Sequence, residues 1–309
     1  MFVILLRYLF SKTSLNIPVQ LQDFITLSLS VLIEATPFVF LGIVLSLLVR
    51  HAIPEKIFYK MMPQNNLIRR LYLSILGIFL PVCECGNIPL ARGLMIKGLK
   101  PSEVVTFLLG APILNPITIT TTIIAFGGDF RIIIARIAGG LLISNIVGWV
   151  FSTYKNQDLL LTREFSAYCD SHSDRHHKKD ELINNFKEEA RIMMIPLVLG
   201  SIVAGATQVL IPRSILTAIG GHVVYSVIAM TVLAFVVSIC ASVDAFFALA
   251  YVNQFTPGSL VSFLVFGPMI DIKLLSLLRS TFNKMTLIHM TLIVFILSTA
   301  LGLGVNYAF

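Results

Sequence analysis

The chain has 309 residues, 56% of them hydrophobic and only 13% charged, where soluble domains carry about 25% charged residues. A soluble core cannot hide that much apolar surface, so lipid is the solvent that the composition requires. The net charge of +7 does not call for nucleic acid, because the lysines and arginines fall between apolar runs and report membrane topology instead.

Residues 1–20 begin with an apolar run that Arg7 interrupts, and no small-residue cleavage site follows. The segment is expected to be a short amphipathic helix at the lipid interface. Eight apolar segments come next: Phe24–Val49, Leu71–Ile96, Val104–Phe126, Ile132–Phe151, Ile192–Ile211, Val223–Val252, Pro257–Leu278 and Met285–Leu303. Each approaches the roughly 20 residues that a bilayer crossing needs. The fold class is therefore an all-α integral membrane protein.

A polar connector over residues 153–190 separates a first transmembrane unit (21–152) from a second (191–309). Its mixture of Arg163, Asp170, Arg175 and Lys178 would not be tolerated in lipid. From Asp180 it is expected to continue as a helix into the next span. Cys169, His172, His176 and His177 have metal-ligand spacing, but the charged setting reads as a solvated linker, and no metal is assigned there.

The two units resemble each other. Leu41, Gly42 and Pro54 recur 158 residues later as Leu199, Gly200 and Pro212. Cys83 recurs 157 later as Cys240, and Pro101, Phe107, Leu108 and Pro112 recur 156 later as Pro257, Phe263, Leu264 and Pro268. Internal repeats of this kind mark secondary transporters. If the second segment of each copy is a re-entrant hairpin, 18 of the 23 Lys and Arg fall on one side. That side is then cytoplasmic, each copy crosses three times, and the copies are inverted. Full crossing of every segment divides the charges 11 to 12 and favours neither orientation.

Four segments carry breaks. Residues 81–89 read Pro-Val-Cys-Glu-Cys-Gly-Asn-Ile-Pro, and residues 110–116 read Gly-Ala-Pro-Ile-Leu-Asn-Pro. The second copy repeats them as Ser238–Asp244 and Gly267–Asp271. Broken backbone at membrane depth is tolerated only where protein buries it or a watery cavity meets it. Such breaks meeting near the midplane supply helix ends and free carbonyls for a solute.

These motifs resemble the bacterial predicted-permease family (YraQ/YcgR-like) that includes the organoarsenical permeases. The resemblance rests on Cys-Glu-Cys-Gly-Asn-Ile-Pro-Leu-Ala-Arg, followed by Phe-Leu-Leu-Gly-Ala-Pro-Ile-Leu-Asn-Pro. It covers residues 24–305 and implies an inner-membrane permease. Many family members have a small residue where this chain has Glu84.

On a helix, residues two apart point about 200° apart, whereas extended backbone turns them the same way. Pro81, Gly86 and Pro89 favour the extended form, so Cys83 and Cys85 are expected to converge. Cys240, with Ser242 beside it, offers a third sulfur. Soft thiolates suit Cu(I), Zn(II) or trivalent arsenic, although buried cysteines also serve as small apolar fillers. Cys83, Cys85, Gly86, Asn115, Cys240 and Asp271 are the expected solute-binding residues. Glu34, Glu84 and Asp244 are the candidates for proton coupling, since an intramembrane acid is costly and functional by default. Asn115 aligns with Asp271, and Asp271 has Lys273 as a structural alternative partner.

The function read from the sequence is a non-enzymatic permease for a small solute, with efflux of a trivalent arsenical or soft metal as one form. A thiol oxidoreductase using Cys83 and Cys85 is the alternative. No Walker motif is present and only His289 lies inside a span, so no cofactor is expected. The expected partners are membrane lipid and the solute, with no nucleic acid, and homo-oligomerisation is left open.

Overall fold

The computed structural model describes residues 18–79, 82–172, 179–210 and 222–308. The expected interfacial helix lies almost wholly outside the described residues, as do His176 and His177. Among the described residues there is no strand, and a single bridge pairs Leu161 with Phe282.

Helix α1 (Val19–Ala52) contains Pro37. A short α2 (Glu55–Met61) leads to α3 (Asn66–Ile75), which Asn65 caps by accepting the Leu67 N–H at 2.9 Å. A 3₁₀ turn over Leu76–Phe79 ends that half. Helices α4 (Glu84–Ile96) and α5 (Pro101–Gly110) are short and completely buried. After a turn come α6 (Pro116–Ala125) and α7 (Phe130–Ser152). The connector forms a 3₁₀ turn (Gln157–Leu160) and α8 (Arg163–His172). The second unit contains α9 (Lys179–Leu210), α10 (Val223–Val237), α11 (Asp244–Leu249), α12 (Pro257–Met269), α13 (Ile272–Leu278) and α14 (Lys284–Ala308).

Five helical stretches are long and apolar enough to cross a membrane: Val19–Ala52, Phe130–Ser152, Leu182–Leu210, Pro257–Leu278 and Lys284–Ala308. Their outer faces expose large apolar side chains, such as Ile33, Leu48, Leu142, Leu199 and Ile296. Water would not tolerate that surface, and lipid does.

Contacts give the directions. Arg69 meets Glu103 at 2.9 Å, and Gly77 lies against Ala111, so α3 and α5 run side by side the same way. Helix α4 starts where α3 stops and ends at the turn that opens α5, so it runs back, and α3 and α4 form a hairpin. In the second unit, Ser226 meets Thr256 at 3.2 Å and Thr231 meets Ser262 at 2.6 Å. Thus α10 and α12 run the same way, with α11 returning between them.

Helix α7 runs antiparallel to the broken line α5–α6: Gly148 sits on Ser102 and Thr106, Gly140 on Ile113, and Arg136 on Thr122. Helix α14 treats α12 alike, with Gly302 on Gly258 and Ser262. The α3–α4 hairpin opens beside the connector, where the Ser102 N–H donates to Gln157. The α10–α11 hairpin opens beside Asn306, at the far end of α14 from the connector. Helices α1 and α9 cross antiparallel, with Ser28 against Gly205 and Phe40 stacked on Phe186.

Several expectations need correction. Pro89 does not break the chain: α4 runs through it, losing only the N–H that would have met the Cys85 carbonyl. Gly267 and Pro268 likewise stay helical, and the break falls at Ile270–Asp271. Arg92, Arg136 and Lys273, counted above as loop charges, are buried. The connector is not merely solvated, because Leu160, Leu161 and Phe165 are buried against the helix ends.

Candidate functional site

The breaks converge at the centre. Cys83 is the last extended residue before α4 and occupies its N-cap, with φ −71° and ψ 171°. Its carbonyl accepts the Gly86 and Asn87 N–H groups. The expected extended run over 83–85 therefore stops after one residue, and Cys85 lies in the first helical turn. The Cys83 thiol has those of Cys240 and Cys85 as neighbours.

In the second unit α10 ends at Val237, and Ser238 takes left-handed backbone (φ 51°) that turns the chain. The Cys240 carbonyl then accepts the Val243 and Asp244 N–H groups as α11 begins. The ligand atoms of Cys83, Glu84 and Cys240 all lie within 4.8 Å of one another. The Cys240 thiol donates to Glu84 Oε2 at 3.6 Å, and the Ser242 hydroxyl donates to Cys240 Sγ at 3.4 Å. Cys85 is fully buried in the core and does not join that triad.

Asn115 and Asp271 occupy matching places. Asn115 caps α6, accepting the Ile117 N–H at 2.9 Å while its amide donates to the Val82 carbonyl at 2.9 Å. Asp271 caps α13, accepting the Leu274 N–H on Oδ1 at 2.5 Å. Its Oδ2 makes no hydrogen bond and lies 3.9 Å from Lys273 Nζ. Lys273 reaches the other way to Glu84 Oε1 at 3.2 Å. The structural partner considered for Asp271 is therefore shared with Glu84.

Two more buried ion pairs flank the centre. Arg136 meets Asp244 at 2.5 Å and donates to Thr122 at 2.7 Å. Arg92 meets Glu189 at 2.5 Å, donates to Thr281 at 3.2 Å, and covers the Phe165 ring at 4.1 Å. Arg92, Arg136, Glu189 and the double role of Lys273 were missed by the sequence reading. Arg136 lies inside an apolar segment, so the rule applied there to acids would have found it had it been applied to cations.

Glu34 is exposed on α1, one turn from Phe38, and no ion pair reaches it among the described residues. Gly86 serves close packing: a Cβ there would lie 2.5 Å from the Phe38 carbonyl oxygen. Phe38, Cys83, Asn115, Thr118, Cys240 and Ser242 line a cavity of about 30 Å³. That is room for about one water, so the centre is closed. A larger concavity of about 700 Å³ lies on the outer face between α9, α13 and α14. Leu199, Ile288 and Leu292 line it together with Arg279 and Lys284, and no thiol does.

The family model described as "Predicted permease" matches residues 20–307. The chain belongs to this permease family. The permease is similar to the UPF0718 protein YcgR of Bacillus subtilis (strain 168), at 36% identity over 257 residues, 83% of this chain and 87% of the relative. It is also similar to a Streptococcus mutans serotype c protein named "Putative two-component membrane permease complex subunit", at 30% identity over 280 residues, 87% of this chain and 90% of the relative. No solved structure matches the permease.

Proposed function

We propose that this multi-pass membrane protein carries a small thiophilic solute across the bilayer through the centre where its two units meet. The observation that carries the reading is the triad itself. Cys83 and Glu84 come from the first unit and Cys240 from the second, with their ligand atoms within 4.8 Å. A solute held by all three bridges the units, so relative motion of the units would make and release the site.

Inverted copies support alternating access. What favours inversion is that one hairpin opens beside Gln157 of the connector and the other beside Asn306. The antiparallel crossing of α1 and α9 also favours it. By the positive-inside rule the connector end is cytoplasmic. The S. mutans relative's name as a complex subunit supports a second chain as partner.

The test is a resistance and uptake screen in cells with and without the gene, spanning trivalent arsenicals, soft metal ions and small anions. Cys83→Ser and Cys240→Ser should each abolish movement of a thiophilic solute while leaving membrane expression intact. Full activity of the double serine variant towards every solute moved by the wild type would end the thiol-site reading. The oxidoreductase alternative would instead show Cys83 cycling between thiol and disulfide during turnover, with no solute crossing.

A further inference from the structure

The geometry points to a soft metal cation as the species this centre takes, with Lys273 as a tethered counter-ion that the cation displaces from Glu84 onto Asp271. The inference rests on the transport reading above and narrows its substrate class.

The first argument is charge. The buried charged groups around the break are Glu84, Asp244 and Asp271 against Arg136 and Lys273, three acids and two cations. Arg136 and Asp244 neutralise each other's charge at 2.5 Å, although Asp244 Oδ1 and Arg136 Nε make no hydrogen bond. That leaves two carboxylates sharing one ammonium. A buried site with an excess acid disfavours an anion, and a divalent ion that displaces two thiol protons leaves the net charge unchanged, so the donor set rather than the charge count selects the cation.

The second argument is the uneven way Lys273 divides itself. Its Nζ sits 3.2 Å from Glu84 Oε1 and 3.9 Å from Asp271 Oδ2. Asp271 Oδ2 is buried, and among the described residues only the long 3.9 Å approach of Lys273 Nζ meets it. A buried acceptor left unsatisfied is costly, so this oxygen is a vacant seat for the ammonium. Its sister Oδ1 is fixed as the α13 cap, so the seat is held in place. Lys273 need only change rotamer to take it.

The third argument is the donor set. Two sulfurs and one carboxylate oxygen match the ligand types of Zn(II) and its soft congeners, with Ser242 and Asn115 lining the same cavity. Thiolate ligands lie about 2.3 Å from such a metal, which sets tetrahedral ligand atoms under about 4 Å apart, and Cys240 Sγ and Glu84 Oε2 already stand at 3.6 Å. The thiols release their protons to water as they coordinate. Asn87, one turn along α4 from Cys83, is buried with neither amide atom partnered, a further polar group available to the filled state.

In the empty state Lys273 neutralises Glu84 and guards the site. An arriving cation takes over Glu84, and Lys273 moves to Asp271. Departure of the cation reverses the exchange, which returns Lys273 to Glu84 and leaves Asp271 as the acid without a cation of its own.

The test uses full-length purified protein in lipid nanodiscs, titrated with Cd²⁺ and followed by the thiolate-to-metal charge-transfer band. Wild type should bind one ion per chain, and Cys83→Ser or Cys240→Ser should lose the band. Lys273→Met should bind Cd²⁺ at least roughly tenfold more tightly, because the competing ammonium is gone. Asp271→Asn keeps the Oδ1 cap yet removes the seat for Lys273, and should bind more weakly. Unchanged or weaker binding in a Lys273→Met protein that melts like wild type would overturn the exchange. If that variant fails to fold, tighter or unchanged binding in Asp271→Asn overturns it instead. Absence of Cd²⁺ binding, together with Cys83-dependent resistance of cells to a neutral arsenical, would remove the cation inference and leave the permease reading standing.

Discussion

Gly42 and Gly86 face each other where α1 crosses α4, and a Cβ on Gly42 would lie 2.0 Å from the Gly86 carbonyl oxygen. Backbone cannot rotate out of the way as a side chain can. Gly42→Ala is therefore expected to cost about 1–3 kcal/mol, read as a lower melting temperature in detergent. The Arg136–Asp244 pair makes a second expectation at this scale. Removing one partner leaves a bare buried charge, at a cost of about 3–5 kcal/mol, whereas replacing both with apolar residues is close to neutral. Arg136→Leu alone should thus shorten the protein's lifetime in detergent, and Arg136→Leu with Asp244→Leu should restore it. The sequence made Cys83, Asp244 and Asp271 legible, because acids and broken backbone stand out against an apolar background. It hid Arg92 and Glu189, which sit 97 residues apart and meet only in the folded chain.

Each break is a contest between local chemistry and the helix. The break over residues 110–116 was legible, since Pro116 opens α6 and Asn115 caps it. Pro89 and Pro268 misled, because a proline inside a helix forfeits one N–H and the buried surroundings of α4 and α12 hold the helix together. The hairpin path of α3 and α4 is open to direct measurement. In a background lacking the native cysteines, Lys97→Cys and Lys155→Cys should be labelled by an impermeant reagent from the same face of the membrane. Asn253→Cys, between α11 and α12, should be labelled from the other face. Lys97 and Asn253 reporting one face would refute the inverted arrangement.

Three buried ion pairs join the first unit to the second: Arg92 to Glu189, Arg136 to Asp244, and Glu84 to Lys273. The first lies between the thiols and the connector end, where Thr281 and Phe165 also hold Arg92. Arg92→Gln should loosen that end and speed labelling of Cys83 by a thiol reagent applied from the connector side. An unchanged rate would mean that the pair does not close the path. The sequence likeness of the two halves shows in matched Gly, Pro and Cys, but these ties were not legible, because they do not follow it. At the offsets of 156–157 residues, Arg92 corresponds to Leu249, Arg136 to Leu292 and Lys273 to Ile117. At offsets of 157 and 158 residues Asp244 corresponds to Asn87 and Glu189 to Val31, so a dimer of two first units would set Arg136 against Asn87 and Arg92 against Val31, with no acid to receive either, at several kcal/mol each. The two halves are complementary where they meet, not interchangeable. Neither can stand in for the other, and either half made alone would carry buried charges with no partner to neutralise them.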